Sequence, residues 1–347
     1  MNTDINIIHS DGSGAAYVPD HGGLICGHLF RSGTGSVSVG TDDAVEWMGR
    51  PAAARAGEFI WLHFNLSHTS SEKWIRANLQ LSDAFYDALT DDSRSTRIEN
   101  DDDTLVAVIN DVAYDFAFEP SEISTLWLTV TQHMLVSARV HPLRAVDRLR
   151  QSAKQGDAFN SPVELLTHLM RDQGDALVQI VRKATQQVDL IEDKLLAGSL
   201  RQKRGDLGRL RRVFVRLQRL LAPEPAALFR LLQQPPRWMA AGDLADMRQA
   251  TEEFSLVIRD LAVLQERIRL LQEELAAQVS EHTNRSLFIL TMVTVLALPI
   301  NIVAGLMGMN VGGIPMAEDA HGFITVVLIL FALAALIGWA TLRKMRE

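Results

Sequence analysis

Seven residues near the C-terminal end of the chain combine residue type and spacing in a way that suits contact with a cation. Their separations are 7, 3, 4, 3, 4 and 3, in the order Asn284, Thr291, Thr294, Leu298, Asn301, Gly305 and Gly308. Such separations place side chains on one face of an α-helix. Polar and small side chains in an apolar helix face either a partner helix or a water-filled path. Two carboxamides in one stripe favour the path, because each polar atom needs a partner inside a bilayer.

A proline in the same stretch also suits a functional membrane helix. Pro299 donates no backbone hydrogen bond and frees the carbonyl of Val295, four residues earlier. Because two spans cannot enclose a channel, a pore would need several identical chains around a symmetry axis. Each asparagine would then become a ring of amide groups, suited to a hard cation contacted through its water shell.

Two apolar runs are long enough to hold this stripe in a membrane. Leu287–Met309 has 23 residues and Phe323–Leu342 has 20. As a helix the first would be ~35 Å long, enough for a hydrocarbon core of ~30 Å. Two buried core helices are the alternative, but core helices rarely have charge-free runs of this length. We therefore predict transmembrane helices at 287–309 and 322–342, joined by an outer loop at 310–321.

The charges that flank these runs predict the orientation. Arg285 precedes the first run, and a basic tail at 343–347 follows the second, whereas the loop carries only Glu318 and Asp319. By the positive-inside rule both termini are cytoplasmic and the loop is periplasmic, with an outer acidic ring in an oligomer. The N-terminal residues have neither the basic nor the apolar region of a signal peptide. We expect a multi-pass protein of the cytoplasmic (inner) membrane.

Composition and charge exclude several classes of protein. The 347 residues include 34 basic and 42 acidic side chains, for a net charge of −8, and Cys26 is the only cysteine. Residues 1–122 contain 20 acidic and 7 basic side chains, which does not suit nucleic-acid binding. One cysteine excludes an internal disulfide. The ten histidines show no metal-ligand spacing, so no tight metal site is expected. Nor is there a nucleophile–base pair or a phosphate loop, so we do not expect an enzyme.

The soluble part divides into a mixed segment and a helical one. Residues 1–22 are polar and are expected to be disordered. Residues 23–141 are predicted to form a cytoplasmic α/β domain with short helices in Trp74–Leu89 and a turn at Asp101–Asp103. Its strands are predicted at Leu24–Phe30, Phe59–Leu66, Leu105–Ile109 and Leu126–Val130. Residues 142–242 are predicted to be a helical domain, with helices in Leu165–Leu196, Leu207–Leu221 and Ala226–Leu232.

A stalk helix at 243–286 is predicted to continue into the first membrane helix. Its apolar residues alternate at separations of 3 and 4, as Met247, Ala250, Phe254, Val257, Leu261, Leu264, Ile268, Leu271 and Leu275. This seam is typical of a coiled coil. Glu266 and Glu273 share the helix face that leads to Asn284, and in a ring of chains they would point toward the axis. A solvated outer face is the alternative for these two carboxylates.

The tripeptide Gly308-Met309-Asn310 follows a long helix and precedes a short loop and a second span. In that position it resembles the signature of the CorA superfamily of divalent metal-ion transporters. Three further segments are similar to the ZntB zinc-transporter branch of that superfamily, namely Val311–Pro315, Trp61–Asn65 and Ser137–Arg144. The resemblance covers nearly the whole chain, from Gly23 onward.

This resemblance implies an architecture and a set of site residues. The fold would be an α+β membrane protein and a funnel-shaped homopentamer, with the α/β domain as the wall and the stalk helix continuing into the pore. Gly308, Met309 and Asn310 would form the outer mouth and ion filter. Asn284 would be the inner pore residue, Asn301 would be the mid-pore residue, and apolar constrictions would fall near Leu290 and Leu298.

Two classes of function follow. The first is a divalent-cation transporter, with zinc as the cargo that the resemblance implies and cobalt, nickel, cadmium or magnesium as alternatives, including a CorA-branch channel. It would have no cofactor, and its partners would be the bilayer and copies of itself. The second is a non-conducting, membrane-anchored coiled-coil sensor or scaffold. An anchor would not need Asn284, Thr291, Thr294 and Asn301 on one face.

Overall fold

The structure is a computed structural model that describes residues 22–31, 34–91, 95–196, 204–309 and 321–344. The expected disorder of residues 1–22 therefore falls outside the described residues, except for Gly22. The chain divides into two compact units, Met1–Gln272 and Glu273–Glu347. We describe each unit by itself.

Unit 1 contains one seven-stranded sheet with the order β2-β1-β3-β7-β6-β5-β4. The strands are β1 (Leu24–Arg31), β2 (Thr34–Ser38), β3 (Glu58–Asn65), β4 (Arg97–Asp101), β5 (Thr104–Val112), β6 (Ile123–Val130) and β7 (Met134–Arg139). Only β3 and β7 pair in parallel; the other neighbours are antiparallel. The four predicted strands are confirmed as β1, β3, β5 and β6.

Three strands of the sheet were not predicted, whereas the turn between β4 and β5 was. Strands β2 and β4 were not predicted, because they are the two edges of the sheet and their sequences, TGSVS and RIEND, are mostly polar. Strand β7 was also not predicted, because its apolar run, Met134–Val136, is interrupted by Ser137 and is shorter than the runs that indicate a strand. The predicted turn is confirmed: Asp102 and Asp103 have φ values of 45° and 62° between β4 and β5, a region that Asp tolerates better than most residues.

Helices cover both faces of the sheet. On one face, α1 (Thr41–Gly49), α2 (Ser71–Asn78) and α3 (Asp83–Thr90) pack on Ile60, Leu62, Val106 and Val108. On the other face, α4 (Arg144–Gln155), α5 (Pro162–Leu196) and α7 (Pro223–Gln233) share a core with Phe59, Trp61 and Ile109. The predicted short helices in Trp74–Leu89 are confirmed as α2 and α3. This second core joins residues of the predicted α/β and helical domains.

The remaining helices are α6 (Arg204–Leu221), α8 (Ala241–Met307) and α9 (Gly322–Lys344). The predicted uninterrupted helix from Asp243 to Met309 is confirmed as α8, with each end displaced by two residues. The predicted domain boundaries at 142, 243 and 287 stay predictions.

All nine residues of the apolar seam on α8 are buried, from Met247 to Leu275. Helices of the same chain contact α8. A Cβ atom added to Gly174 on α5 would lie 3.6 Å from the Phe254 ring, and Arg211 on α6 donates to the Gln272 side chain at 3.1 Å. The seam is therefore confirmed as a buried face, and α5 and α6 of the same chain pack beside it.

Candidate ion-conducting face of the membrane helices

Two helices of the described chain, α8 and α9, are long and apolar enough to cross a membrane. In its most apolar 18-residue window, α8 has 0% of residues buried inside the chain, and α9 has 6%. Core helices of a soluble protein are buried on most of their surface. The alternative prediction of two buried core helices is therefore wrong.

Within unit 2, α8 and α9 pack through one side of each helix. Leu296, Pro299 and Ile300 of α8 line a small gap together with four residues of α9, which are Leu330, Leu333, Ala334 and Ile337. The proline thus lies on the side of α8 that faces α9.

The predicted polar stripe lies on the other side of α8. At 100° per residue its centre is about 170° from the residues that contact α9. Every described residue of the predicted site on this helix is exposed in the single chain. These residues are Asn284, Leu290, Thr291, Thr294, Leu298, Asn301, Gly305, Gly308 and Met309. The structure therefore brings these residues to one side of α8, and within the described ranges no other part of the chain lies over them.

The two stripe threonines present oxygen atoms rather than free donors. The Thr291 hydroxyl donates to the Leu287 carbonyl at 2.9 Å, and the Thr294 hydroxyl donates to the Leu290 carbonyl at 3.0 Å. Because each hydroxyl proton is used within the helix, the remaining oxygen lone pairs are available as acceptors. Acceptors of this kind suit water molecules around a cation, and a bound metal ion itself.

The outer end of the stripe consists of two glycines, Gly305 and Gly308. The Gly308 amide still donates to the Ala304 carbonyl, at 3.0 Å, although α8 ends at Met307. A Cβ atom added at Gly305 would meet nothing within 4 Å, so small size is not required there by the single chain. Three predicted site residues, Asn310, Glu318 and Asp319, lie outside the described residues.

The two candidate carboxylates of the stalk are also exposed. Glu266 accepts a hydrogen bond from Arg269 Nε at 2.9 Å, and this bond lowers the pKa of the Glu266 carboxyl below its ordinary value. In a ring of chains, repulsion between neighbouring carboxylates would instead raise the pKa of Glu266. Inside one chain the local partner acts in the opposite direction. Glu273 is exposed as well.

A second line of side chains on α8 is a feature that the sequence analysis missed. Leu256, Val263 and Leu270 follow at intervals of seven, and they are 57%, 64% and 52% exposed. Ala277 and Asn284 come at the same interval in the sequence. Large apolar side chains at regular exposed positions of a helix are typical of a face covered by another chain. The seven-residue spacing was visible in the sequence, but the stronger seam beside it masked the signal.

The buried histidine of β3 has structural partners. His63 is buried, accepts from Arg139 Nε at 3.0 Å, and contacts Ser137 Oγ at 2.8 Å. Burial and the positive charge of Arg139 lower the pKa of His63 well below its ordinary value. Within the described ranges, no group of three or more His, Cys, Asp or Glu side chains is arranged to hold a metal ion.

A soluble α/β unit followed by two paired apolar helices, one of them carrying an uncovered polar stripe, defines a class of helical membrane proteins. The chain belongs to the CorA-like Mg2+ transporter protein family, whose sequence model matches residues 56–344. The predicted relationship to the CorA superfamily is confirmed.

Individual relatives support the same assignment. The divalent cation transporter CmaX of Pseudomonas aeruginosa is 26% identical over 332 residues, which cover 94% of this chain and 97% of that one. The zinc transport protein ZntB of Yersinia enterocolitica is 23% identical over 288 residues, or 83% and 88% of the two chains. These relatives are transporters rather than enzymes.

Solved structures show the same fold. The structure of full-length CmaX superposes with a TM-score of 0.76 at 26% identity and covers 94% of this chain and 99% of that one. The CorA magnesium transporter from Methanocaldococcus jannaschii superposes with a TM-score of 0.72 at 18% identity, over 90% and 96% of the two chains.

Proposed function

We propose that this protein transports divalent metal cations through a pore made by several copies of α8. One observation carries the proposal: the Asn/Thr stripe lies opposite the side of α8 that packs on α9, and no residue that the structure describes covers it. A face that only joined the two helices of the hairpin would point toward α9. A lipid-facing anchor would be apolar on this side.

Several copies are needed because the stripe of one chain is open. Around a cyclic axis, Asn284, Thr291, Thr294 and Asn301 of each copy would contribute rings of oxygen atoms. The exposed line of Leu256, Val263 and Leu270 would be covered by neighbouring copies in the same assembly. From the family resemblance we infer that this assembly is a funnel-shaped homopentamer.

The chemistry of the stripe favours a hydrated cation. Carboxamide and hydroxyl oxygens are ligands for hard cations, and described pore residues offer no histidine or cysteine. Zinc prefers nitrogen and sulfur ligands, so it would cross with most of its water shell. Zinc is our first candidate because of the ZntB relatives, and magnesium, cobalt, nickel and cadmium are the alternatives.

In the proposed topology both termini lie on the cytoplasmic side of the inner membrane. Arg285 precedes the first span, and Arg343 follows Trp339 at the end of the second span, with its guanidinium 5.5 Å from the indole ring. Such a cation–aromatic pair suits the level of the lipid headgroups. Gly308, Met309 and Asn310 would form the outer mouth.

A matched pair of threonine variants tests the proposal. Thr294→Val and Thr325→Val remove the same group from the two membrane helices, because each hydroxyl donates to the carbonyl four residues earlier. Only Thr294 lies on the stripe. In proteoliposomes loaded with a metal-sensitive dye, Thr294→Val should reduce zinc, cobalt, nickel or magnesium uptake severalfold, and Thr325→Val should leave uptake unchanged.

Two results would contradict the transporter. The first is wild-type protein that moves none of these ions while remaining oligomeric, which would favour the non-conducting scaffold. The second is an equal loss of uptake in the two threonine variants, which would remove the stripe from the conduction path.

A further inference from the structure

A polar cluster is buried in unit 1 where β5, α5 and α7 meet. Its members are Gln173 and Glu224, which are 2% and 1% exposed, together with Asn110 and Asp111 of β5. We propose that Glu224 and Gln173 form a proton-binding site, and that the proton on Glu224 keeps α7 packed against the sheet. Neither the family relationship nor the proposed transport requires this site.

Gln173 contacts β5 just beyond the point where β4 stops pairing with it. The last pair between β4 and β5 is Arg97 with Val108, so the Asn110 carbonyl lies beyond the reach of β4. The Gln173 side-chain amide supplies the hydrogen bond that a neighbouring strand would otherwise make, and it donates to that carbonyl at 2.8 Å. The same nitrogen donates to Oε2 of Glu224 at 3.1 Å. One side chain of α5 thus joins β5 to the first turn of α7.

Two buried oxygen atoms in this contact lack a partner. Among the described residues, Oε1 of Glu224 and Oε1 of Gln173 have no hydrogen bond. Both are acceptors when Glu224 is ionised, and a buried carboxylate oxygen without a donor is strongly unfavourable. A proton on Glu224 removes the charge and supplies a donor to a contact in which two acceptor oxygens otherwise have none.

The neighbouring acid, Asp111, is held in the opposite state. Its two carboxylate oxygens accept from the backbone amides of Val112 at 2.7 Å and Ala145 at 2.8 Å, and Ala145 lies in the first turn of α4. Burial raises the pKa of Asp111 to about 6, although these bonds and the charges of Arg144 and Arg148 lower it. Asp111 is therefore an anion at neutral pH, close to Glu224.

Burial first, and then the charge of Asp111, raise the pKa of Glu224 to about 8, against the lowering effect of the Gln173 bond. Four other charged groups on the packed elements have different partners or lie outside the core. Asp172 on α5 contacts His168, Arg97 on β4 pairs with Asp91, and Glu99 on β4 is exposed. On α6, Arg219 is exposed as well.

The direction of the pH effect follows from the raised pKa. A group whose pKa is higher in the folded than in the unfolded state contributes stability that is present at low pH and lost as pH rises through the folded value. Glu224 should therefore stabilise unit 1 less and less up to about pH 8. Ionisation would place a second negative charge beside Asp111 and loosen α7.

The test uses the full-length protein in detergent. The thermal unfolding midpoint is measured from about pH 6 to about pH 9 for wild type, Glu224→Gln and the exposed control Glu99→Gln. Over this range we expect the unfolding midpoint to fall by roughly 5–10 °C in wild type and in the control. Glu224→Gln should largely remove this fall, because a glutamine cannot ionise and its amide can donate to Gln173. Equal pH profiles in wild type and Glu224→Gln would overturn the proposal.

A spectroscopic measurement covers the case in which Glu224→Gln does not fold. Wild-type protein at neutral pH should show the infrared carbonyl band of a buried protonated carboxylic acid, and this band should disappear as pH rises past about 8. Replacing Gln173 with Met removes the donor that stabilises the carboxylate, so the loss of the band should move to higher pH. Absence of the band at neutral pH would also overturn the proposal.

Discussion

Arg267 of α8 and Asp189 of α5 form an ion pair, with 2.7 Å between Nη1 and Oδ1. Glu192, on the next turn of α5, accepts from the other Nη of the same guanidinium. These bonds raise the pKa of Arg267 above its ordinary value. The pairs lie beside the buried residues of the seam and fix the register of α5 along α8.

Removing this charge should weaken the contact between α5 and α8. Arg267→Met keeps most of the aliphatic stem, and because the pair is partly exposed we expect a loss of only about 0.5–1 kcal/mol in the free energy of unfolding. Thermal unfolding at low and high salt measures it, and the difference from wild type should shrink with salt. Arg269→Met is the control, because Arg269 pairs with Glu266 on its own helix. An equal effect of the two variants would show that the α5 contact adds nothing.

The two apolar lines of α8 should respond differently to the same substitution. Leu261 is 0% exposed and Leu270 is 52% exposed. Leu261→Ala should cost about 2–5 kcal/mol, because it leaves a cavity in a packed face. Leu270→Ala should change the stability of one chain by less than about 0.5 kcal/mol but should weaken the association of copies. Thermal unfolding and light scattering separate the two effects, and an unchanged oligomer in Leu270→Ala would contradict the proposed role of the exposed line.

Asn310 is the predicted end of the ion filter. Asn310→Ala should abolish ion capture without unfolding the oligomer, because a ring of carboxamide oxygens is lost from the mouth. Metal uptake by proteoliposomes, with gel filtration as the check of assembly, measures this outcome. Asn310→Gln keeps the carboxamide and should retain part of the uptake. Normal transport by an intact Asn310→Ala oligomer would exclude Asn310 from the filter.

The acidic residues of the outer loop should act at a distance. In a homopentamer, Glu318 and Asp319 would form a ring of about ten carboxylates, which raises the local cation concentration within a screening length of ~8–10 Å. Neutralising both should reduce uptake at low ionic strength and have little effect at high salt. The control is Glu99→Gln with Asp102→Asn, which removes two charges from unit 1. It should leave uptake unchanged at both low and high ionic strength. A loss that does not depend on salt would indicate direct ligation instead.

Much of the fold could be predicted because the relevant signals are local and periodic. The strands with continuous apolar character, the turn at Asp102 and Asp103, and the bounds of α8 all follow from residue type and spacing along a short stretch of chain. The edge strands β2 and β4 could not be predicted in this way. Their polar sequences are strands only because a neighbouring strand supplies the hydrogen bonds.

The functional residues likewise include some that spacing could predict and one whose burial it could not. Spacing alone placed Asn284, Thr291, Thr294 and Asn301 on one face, and the structure has them on one side of α8. The buried state of Glu224 could not be predicted, because a glutamate between two prolines near a helix start is usually an exposed first-turn residue. Only the packing of α7 on α5 and the sheet removes it from water.

The sequence by itself determined that α8 is one long helix, that one face of it must be buried from Met247 to Leu275, and that two apolar helices end the chain. The tertiary structure decided which elements lie against those faces. Helices α5 and α6 of the same chain pack beside the seam, and α9 packs on the proline side of α8, so that the described part of the chain leaves the polar stripe open. The reason is that the hydrophobic effect has no direction: a periodic pattern states that a face must leave water, and only the arrangement of all elements decides what covers it.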